Sequence, residues 1–420
     1  MPKSPPHERA NDHRKHGQGS RNARFLIGAR AARSVGQGLL AVDFALYLKT
    51  LRWPATEIGA LFMGGLLLSS LVAAFMGPLS DRLGRRRFLL GYEISQMLAS
   101  SLALSSSHPA VIVTATLVGG FGHGLNGGAG PFAPVELAWL SHSVPTRNRP
   151  RIYSINMATG FAGMGLGALL AALPHFFKHL LSPAAAFRAL FLFVIAGSVT
   201  CIVLIWMTVD MPQEQPATGE TKTLDRTENR FLLRLMSINA LNGIGIGLIG
   251  PLMAYWFAVR YGKGPYEIAP VMASGLFLTA LSSLLLQRIA RRHGVVRSVV
   301  AMRVAGAVLL FIMPFAPTFS VATALYVLRS AMNRGTAGAR QAINMGIVRA
   351  HRRGLAASLN NISLQIPRAI GPVLTGVLFS AGALAAPFVI GASFQLLYVF
   401  FYQRMFRDYD RDPGEGEATA

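Results

Sequence analysis

Apolar runs of about 20 residues, punctuated by Gly and Pro, recur along almost the whole 420-residue chain. A run of that length, coiled as a helix, matches the roughly 30 Å hydrocarbon core of a bilayer. Water-facing helices and strands show polar positions at periods of 3.6 or 2 instead. Only 14% of the residues are charged, against roughly 25% in a soluble domain. The chain is therefore expected to be an all-α integral membrane protein. Spans are expected near 25–48, 55–77, 88–106, 109–139, 153–176 and 187–209, then 232–259, 266–287, 297–315, 318–347, 356–382 and 385–404. Twelve transmembrane helices in two pseudo-symmetric six-helix bundles follow. The first bundle occupies 25–209 and the second 230–406. Residues 1–24 read as a disordered cytoplasmic tail, 210–229 as a cytoplasmic linker opening at Asp210 and Pro212, and 407–420 as a second cytoplasmic tail.

The formal charge of +22 raises nucleic acid as a partner, and the placement of the basic residues argues against it. They gather in every second connection: Lys3 to Arg24, Arg82 to Arg87, Arg147 to Arg151, Lys222 to Arg234, Arg288 to Arg292, Arg349 to Arg353, and Arg404 to Arg411. The intervening connections hold few, among them Lys49, Arg52, Lys178, Arg188, Arg260 and Lys263. Positive residues stay on the cytoplasmic side, which places both termini there and requires an even number of spans in a cell (inner) membrane. The partners expected are membrane lipid, a small-molecule solute, and a proton or counter-solute, without nucleic acid, for a chain acting as a monomer. The single cysteine, Cys201, lies in an apolar run, so neither a disulfide framework nor a cysteine metal site is expected. His7, His13 and His16 in the first tail read as a solvated basic end, and no metal or cofactor is expected.

A constant shift of 210 positions carries Glu57, Ile58, Gly65, Leu66, Leu68 and Leu71 onto Glu267, Ile268, Gly275, Leu276, Leu278 and Leu281, and Gly84 onto Gly294. A shift of 204 carries Arg149, Ser154, Asn156 and Gly167 onto Arg353, Ser358, Asn360 and Gly371. Parallel repeats of this kind place a solute site near mid-membrane between the halves, and transport proceeds by rocking one against the other.

The connection between the second and third runs reads Gly77-Pro78-Leu79-Ser80-Asp81-Arg82-Leu83-Gly84-Arg85-Arg86-Arg87. It resembles the signature loop of the major facilitator superfamily, G-x-L-x-D-R-x-G-R-R. The glycines allow close approach and a tight turn, while Asp81 can face a helix N-terminus or the nearby arginines. The resemblance extends over the chain in span count, repeat and linker position. It implies alternating access, with Gly77, Asp81, Arg82, Gly84, Arg85, Arg86 and Glu136 as a gate. In the degenerate copy, Arg291-Arg292-His293-Gly294, Arg stands where Asp81 would be. Gly130-Pro131-Phe132-Ala133-Pro134 and the stretch from Arg329 to Ala342 are similar to prokaryotic drug or solute exporters. Two departures weigh against a drug:proton antiporter. Gly119 and Gly120 stand where that group carries a fourth-span arginine, and Gly160 to Gly167 holds no proline.

Ionisable side chains inside a membrane are costly and mark sites. Arg30, Arg33, Arg303, Arg329, Arg334, Arg340 and Arg368 fall within the expected spans, against Asp43, Glu93 and Glu136. This excess of guanidinium suits an anionic solute, because its planar fork holds carboxylate or phosphate bidentately. Each has a plainer role too. Arg30 and Arg33 could snorkel to the headgroups, Glu136 could pair with Arg85 or Arg86, and Asp43 could pair with Lys49. The repeat sets Glu93 against Arg303 and Glu136 against Arg340. Proton coupling needs a carboxylate or histidine, so Asp43, His123 and Glu136 are the choices. Asn126, Asn239, Asn242, Gln341 and Asn344 would line a cavity or bond between helices.

The expected function is a secondary active transporter, an exporter coupled to protons. An organic-anion or phosphate-ester exchanger using Arg33, Arg329, Arg334, Arg340 and Arg368 is the second possibility. A non-transporting scaffold or sensor of the same fold is the third. No nucleotide-binding loop and no catalytic constellation occurs, so neither ATP drive nor an enzyme is expected.

Overall fold

The computed structural model describes residues 6–122, 130, 133–144, 149–177, 179–209, 226–337, 340 and 353–407. Among these the chain is almost entirely helical, with no strand. Helix α1 runs Pro6–Thr50, followed by α2 (Ala55–Leu83), α3 (Arg85–Ser105), α4 (Pro109–Gly119), α5 (Ala133–His142), α6 (Arg149–Leu170), α7 (Leu173–Phe177), α8 (Pro183–Ala189) and α9 (Phe191–Trp206). After the expected linker come α10 (Arg226–Gly247), α11 (Met253–Tyr261), α12 (Pro265–His293), α13 (Val295–Ile312), α14 (Phe319–Gly335), α15 (Arg353–Ser380) and α16 (Ala386–Met405).

Local chemistry sets many of the ends. Pro54, extended, precedes α2, and Glu57 in its first turn complements the helix dipole. Pro109 and Pro183 take first-turn positions of α4 and α8, where a missing N–H costs nothing. Ser182 and Thr318 cap α8 and α14, accepting from the backbone N–H groups of Ala185 at 3.3 Å and Val321 at 3.4 Å.

Among the described residues, seven helical stretches are long and apolar enough to cross a membrane by length and composition alone: Ala55–Ala73, Ile152–Phe177, Pro183–Trp206, Pro265–Leu285, Val295–Phe315, Ile362–Ser380 and Ala386–Met405. Pro109–Gly119 is a shorter apolar helix. The expected fourth and seventh spans are not single rods. The fourth stops at Gly119, with positive φ at Gly120 (61°) and Gly122 (83°), and the seventh breaks between Gly247 and Met253. Thus Gly119, Gly120 and Gly122 end a helix. At the other end, α1 begins at Pro6 and runs through much of the expected disordered tail, whose residues include enough good helix formers to extend a helix already nucleated in the apolar part.

The internal repeat is written into the helices. α2 and α12 both have 29 residues, and each meets its successor at a single glycine of positive φ, Gly84 (96°) and Gly294 (86°). Gly167 on α6 and Gly371 on α15, related by the shift of 204, both sit at helix crossings with no room for a side chain. A Cβ on Gly167 would lie 1.8 Å from the Val35 carbonyl oxygen of α1, and one on Gly371 2.1 Å from the Gly247 carbonyl carbon of α10.

The packing is uneven along the bundle. At the end remote from the termini, one apolar core draws on both halves, from Leu39–Leu48 and Ala55–Phe62 to Leu248–Ala258, Ile268–Leu276 and Phe388. There α2 lies on α15 closely enough that a Cβ on Gly59 would sit 2.2 Å from the Pro372 carbonyl oxygen. His175 stacks on Tyr266 at 4.8 Å across α7 and α12. At the end bearing the termini the apolar core is divided. One cluster is built from Ala23, Leu89, Trp139, Ile205 and neighbours, the other from Leu235, Val296, Tyr398, Phe406 and neighbours. Among the described residues the halves are therefore sealed at one end and separately packed at the other.

Candidate functional site

Each half buries a polar cluster of its own. In the first half, Arg33 of α1 points between α3 and α5. Its Nε donates to Glu93 Oε1 at 2.5 Å and its Nη1 to Glu136 Oε2 at 2.5 Å. The guanidinium also lies 5.5 Å from the centre of the Tyr92 ring. Arg30, one turn earlier and 1% exposed, is accommodated by Gly160, whose Cβ would fall 2.8 Å from Arg30 Nη2. Cys201 Sγ donates to the Ala29 carbonyl at 3.0 Å and closes the cluster from α9. Arg30 and Arg33 against Glu93 and Glu136 sum to zero charge. The expectation that Arg33 snorkels to headgroups is corrected by this geometry, and Glu136 is engaged by Arg33, not by Arg85 or Arg86 as expected. The rotational settings of α1 and α5 decide that choice.

In the second half, Arg303 of α13 is 1% exposed. Its Nη1 donates to Asn333 Oδ1 at 2.5 Å and its Nη2 to Asn242 Oδ1. Asn333 Nδ2 donates to Gln395 Oε1, and Gln395 Nε2 to the Gly245 carbonyl at 3.5 Å. Tyr398 is shared by two arginines: Arg303 lies 4.7 Å from its ring centre and Arg340 5.9 Å, and Arg340 Nη1 donates to its hydroxyl at 3.2 Å. The repeat relates the two clusters position by position. The offset of 209 that takes Gly38 to Gly247 takes Arg33 to Asn242, while Glu93 and Glu136 answer to Arg303 and Arg340. Where the first half has an arginine held by two glutamates, the second has an asparagine and two arginines.

A further group of basic residues lies on α14 and α15. Arg334 is within electrostatic reach of both Arg329 and Arg368, and Arg329 is also within reach of Arg303. Arg368 Nη1 donates to Gln365 Oε1 at 2.9 Å. Between residues 230 and 406 the chain contains one carboxylate, Glu267, and it is occupied at the remote end with Lys263 Nζ at 3.6 Å and the Gly264 N–H at 3.0 Å. The second half thus sets Arg303, Arg329, Arg334, Arg340 and Arg368 in its interior without an acid of its own beside them.

Asp43 is 3% exposed on α1 within the shared core, and neither carboxylate oxygen has a hydrogen-bond partner among the described residues. Lys49, its expected partner, lies instead 5.7 Å from the Tyr255 ring centre. Of the gate residues, Gly84 supplies the left-handed turn, and Arg86 clamps α3 to the end of α9, donating to the Trp206 carbonyl at 2.5 Å with its charge 5.0 Å from that ring. The side chains at Gly77, Asp81 and Arg82 lie outside the described residues, as do His123, Asn126, Gln341 and Asn344. Asn239 is buried one turn before Asn242 on α10. Sequence reasoning missed Asn333, Gln395 and Tyr398. Their signal is a hydrogen-bonding side chain inside an apolar helix, which is weak until a buried arginine is known to face it. No group of three His, Cys, Asp or Glu able to hold a metal occurs among the described residues.

Apolar helices repeated in two related halves, with buried charge between helices in each, are the build of a multi-pass membrane protein. The family model of the Major Facilitator Superfamily matches residues 26–234 and 235–419, and the chain belongs to that superfamily. An uncharacterized membrane protein of Saccharomyces cerevisiae is 22% identical over 414 residues, 89% of this chain and 91% of that protein. Multidrug resistance protein D of Escherichia coli is 32% identical over 188 residues, 43% of this chain and 44% of that protein. The crystal structure of the human organic anion transporter MFSD10 superposes with a TM-score of 0.63 at 16% identity, covering 92% of this chain and 99% of that one, a likeness of fold.

Proposed function

We propose that this protein is a secondary active transporter that carries a small anionic solute by alternating access, with a proton as the coupling ion. In this reading it spans the inner membrane twelve times in two six-helix bundles, as a monomer with both termini in the cytoplasm. The observation that carries the choice of solute is the acid-free interior of the second half. Arginine does not deprotonate in proteins, and a charge withdrawn from water without a partner costs several kcal/mol. Negative groups on the solute would supply a counter-charge for Arg329 and Arg334, with Arg368 of α15 alongside them, where planar forks favour carboxylate or phosphate.

Asp43 is the coupling carboxylate in this reading. It is a carboxylate buried on α1 at the end where the two halves share a core, placed to exchange a proton as those halves move apart. The uneven packing fits a state sealed on the outer side and open to the cytoplasm, and transport would require the α2–α15 and α6–α12 contacts to part.

The test is a thermal-shift screen of detergent-purified protein against anionic, neutral and cationic metabolites, since a ligand that binds only the folded state raises its melting temperature. Anions should stabilise the wild type, and Arg329→Gln and Arg368→Gln should each lose that response. Unchanged anion responses in both variants would sink the assignment.

The partial likeness to Multidrug resistance protein D favours a second reading, proton-coupled export of neutral or cationic drugs. It predicts stabilisation by such drugs and indifference to the arginine substitutions.

A further inference from the structure

The two polar clusters differ in one respect that has a chemical consequence. In the first half two arginines are balanced by two glutamates, both of which accept from Arg33. In the second half Arg303 is surrounded by neutral acceptors, the amide oxygens of Asn333 and Asn242, and Arg340 by a tyrosine hydroxyl. These oxygens satisfy some N–H groups but carry no charge. Three donors in this cluster are buried with no hydrogen-bond partner among the described residues: Arg303 Nε, Arg340 Nε and Asn242 Nδ2. The unmet atoms are all N–H groups, and the two guanidinium groups share one aromatic ring. Unmet donors and uncompensated positive charge in the same place call for one kind of guest, an anion.

We propose that this cluster, drawn from α10, α13, α14 and α16 together with Arg340, holds a resident small inorganic anion of the size and charge of chloride. By the repeat, Arg303 and Arg340 take the places of Glu93 and Glu136, so the ion would stand between them, where the Arg33 guanidinium stands in the first half, as their counter-charge. The ion is separate from the transported solute, whose proposed contacts are Arg329, Arg334 and Arg368. Asn333 is held by Gln395, and Gln395 by the Gly245 carbonyl, so the amides are fixed as acceptors toward Arg303 and the remaining N–H groups are kept for the ion.

The experiment uses full-length protein in detergent, exchanged into halide-free gluconate buffer. Chloride, bromide or nitrate is titrated against gluconate at constant ionic strength while the melting temperature is followed. Bound radioactive chloride is measured by equilibrium dialysis. The expected result is a melting temperature that rises with the logarithm of halide concentration above the dissociation constant, with one chloride bound per chain. Asn242→Asp places a carboxylate on the oxygen that already accepts from Arg303. It should match or exceed in gluconate the stability the wild type reaches in chloride, and should bind no chloride. Equal melting temperatures in gluconate and chloride with no bound ion would overturn the proposal. So would an Asn242→Asp variant that keeps the wild-type halide response. If chloride instead competes one for one with the anionic solute and is lost in Arg329→Gln, the ion is reporting the solute site and a separate resident anion is refuted. Failure of the solute reading would leave the halide response intact, so the two are distinguishable.

Discussion

Replacing Glu93 by Gln keeps the shape of the first-half cluster and removes one of its charges. Glu93 is fully buried and accepts from Arg33 at 2.5 Å, while Glu136 holds the other side of the same guanidinium. Arg30, Arg33 and Glu136 would then sum to one uncompensated positive charge. Removing one partner of a buried pair costs about 3–5 kcal/mol, and because Glu136 still grips Arg33 the lower end, about 3 kcal/mol, is expected here. Arg33→Gln leaves one uncompensated negative charge and should cost a similar amount. The double variant restores neutrality, with Arg30 facing Glu136 alone, so it should be more stable than the sum of the singles by about 2 kcal/mol or more, within the range of coupling between residues in direct contact. Unfolding by sodium dodecyl sulfate in mixed micelles measures all three. Additive losses in the double variant, or a loss below about 1 kcal/mol for Glu93→Gln, would refute the claim that charge balance holds this cluster together.

Asp43→Asn should retain solute binding and solute exchange but lose accumulation driven by a pH gradient in proteoliposomes, and wild-type accumulation by the variant would remove Asp43 from coupling. Gly59→Val places a side chain where a Cβ already falls 2.2 Å from the Pro372 carbonyl oxygen. In a Cys201→Ala background, cross-linking by a short bifunctional thiol reagent between cysteines introduced at His175 and Tyr266, whose rings stack at 4.8 Å across the same end, should drop several-fold with this substitution, and an unchanged yield would show that the sealed end does not depend on that contact.

The repeat was the most legible feature of the sequence, because a fixed offset needs no geometry. It set Gly84 and Gly294 at equivalent positions, and each follows its helix with a positive φ. Span boundaries were less legible where glycines interrupt a helix, since Gly120 and Gly122 satisfy an apolar pattern while turning the chain. The buried residues were identified but not their partners. Arg33, Glu93 and Glu136 come from three helices far apart in sequence, and a rotation of α5 by one position would offer Glu136 to a different neighbour. For the same reason Asn333 and Gln395 were invisible as a network: the amide of each matters only because Arg303 lies beside it.

Reconstituted flux tests the central claim most directly. Wild-type protein and Arg368→Gln are placed in proteoliposomes with a labelled anion chosen from the thermal-shift screen, and movement is followed with and without a pH gradient. The account predicts that the wild type moves the anion above the rate of empty vesicles, that the pH gradient changes its final level, and that Arg368→Gln reduces the flux at least tenfold. Anion movement no faster than in empty vesicles, alongside movement of a lipophilic cation by the same preparation, would contradict it.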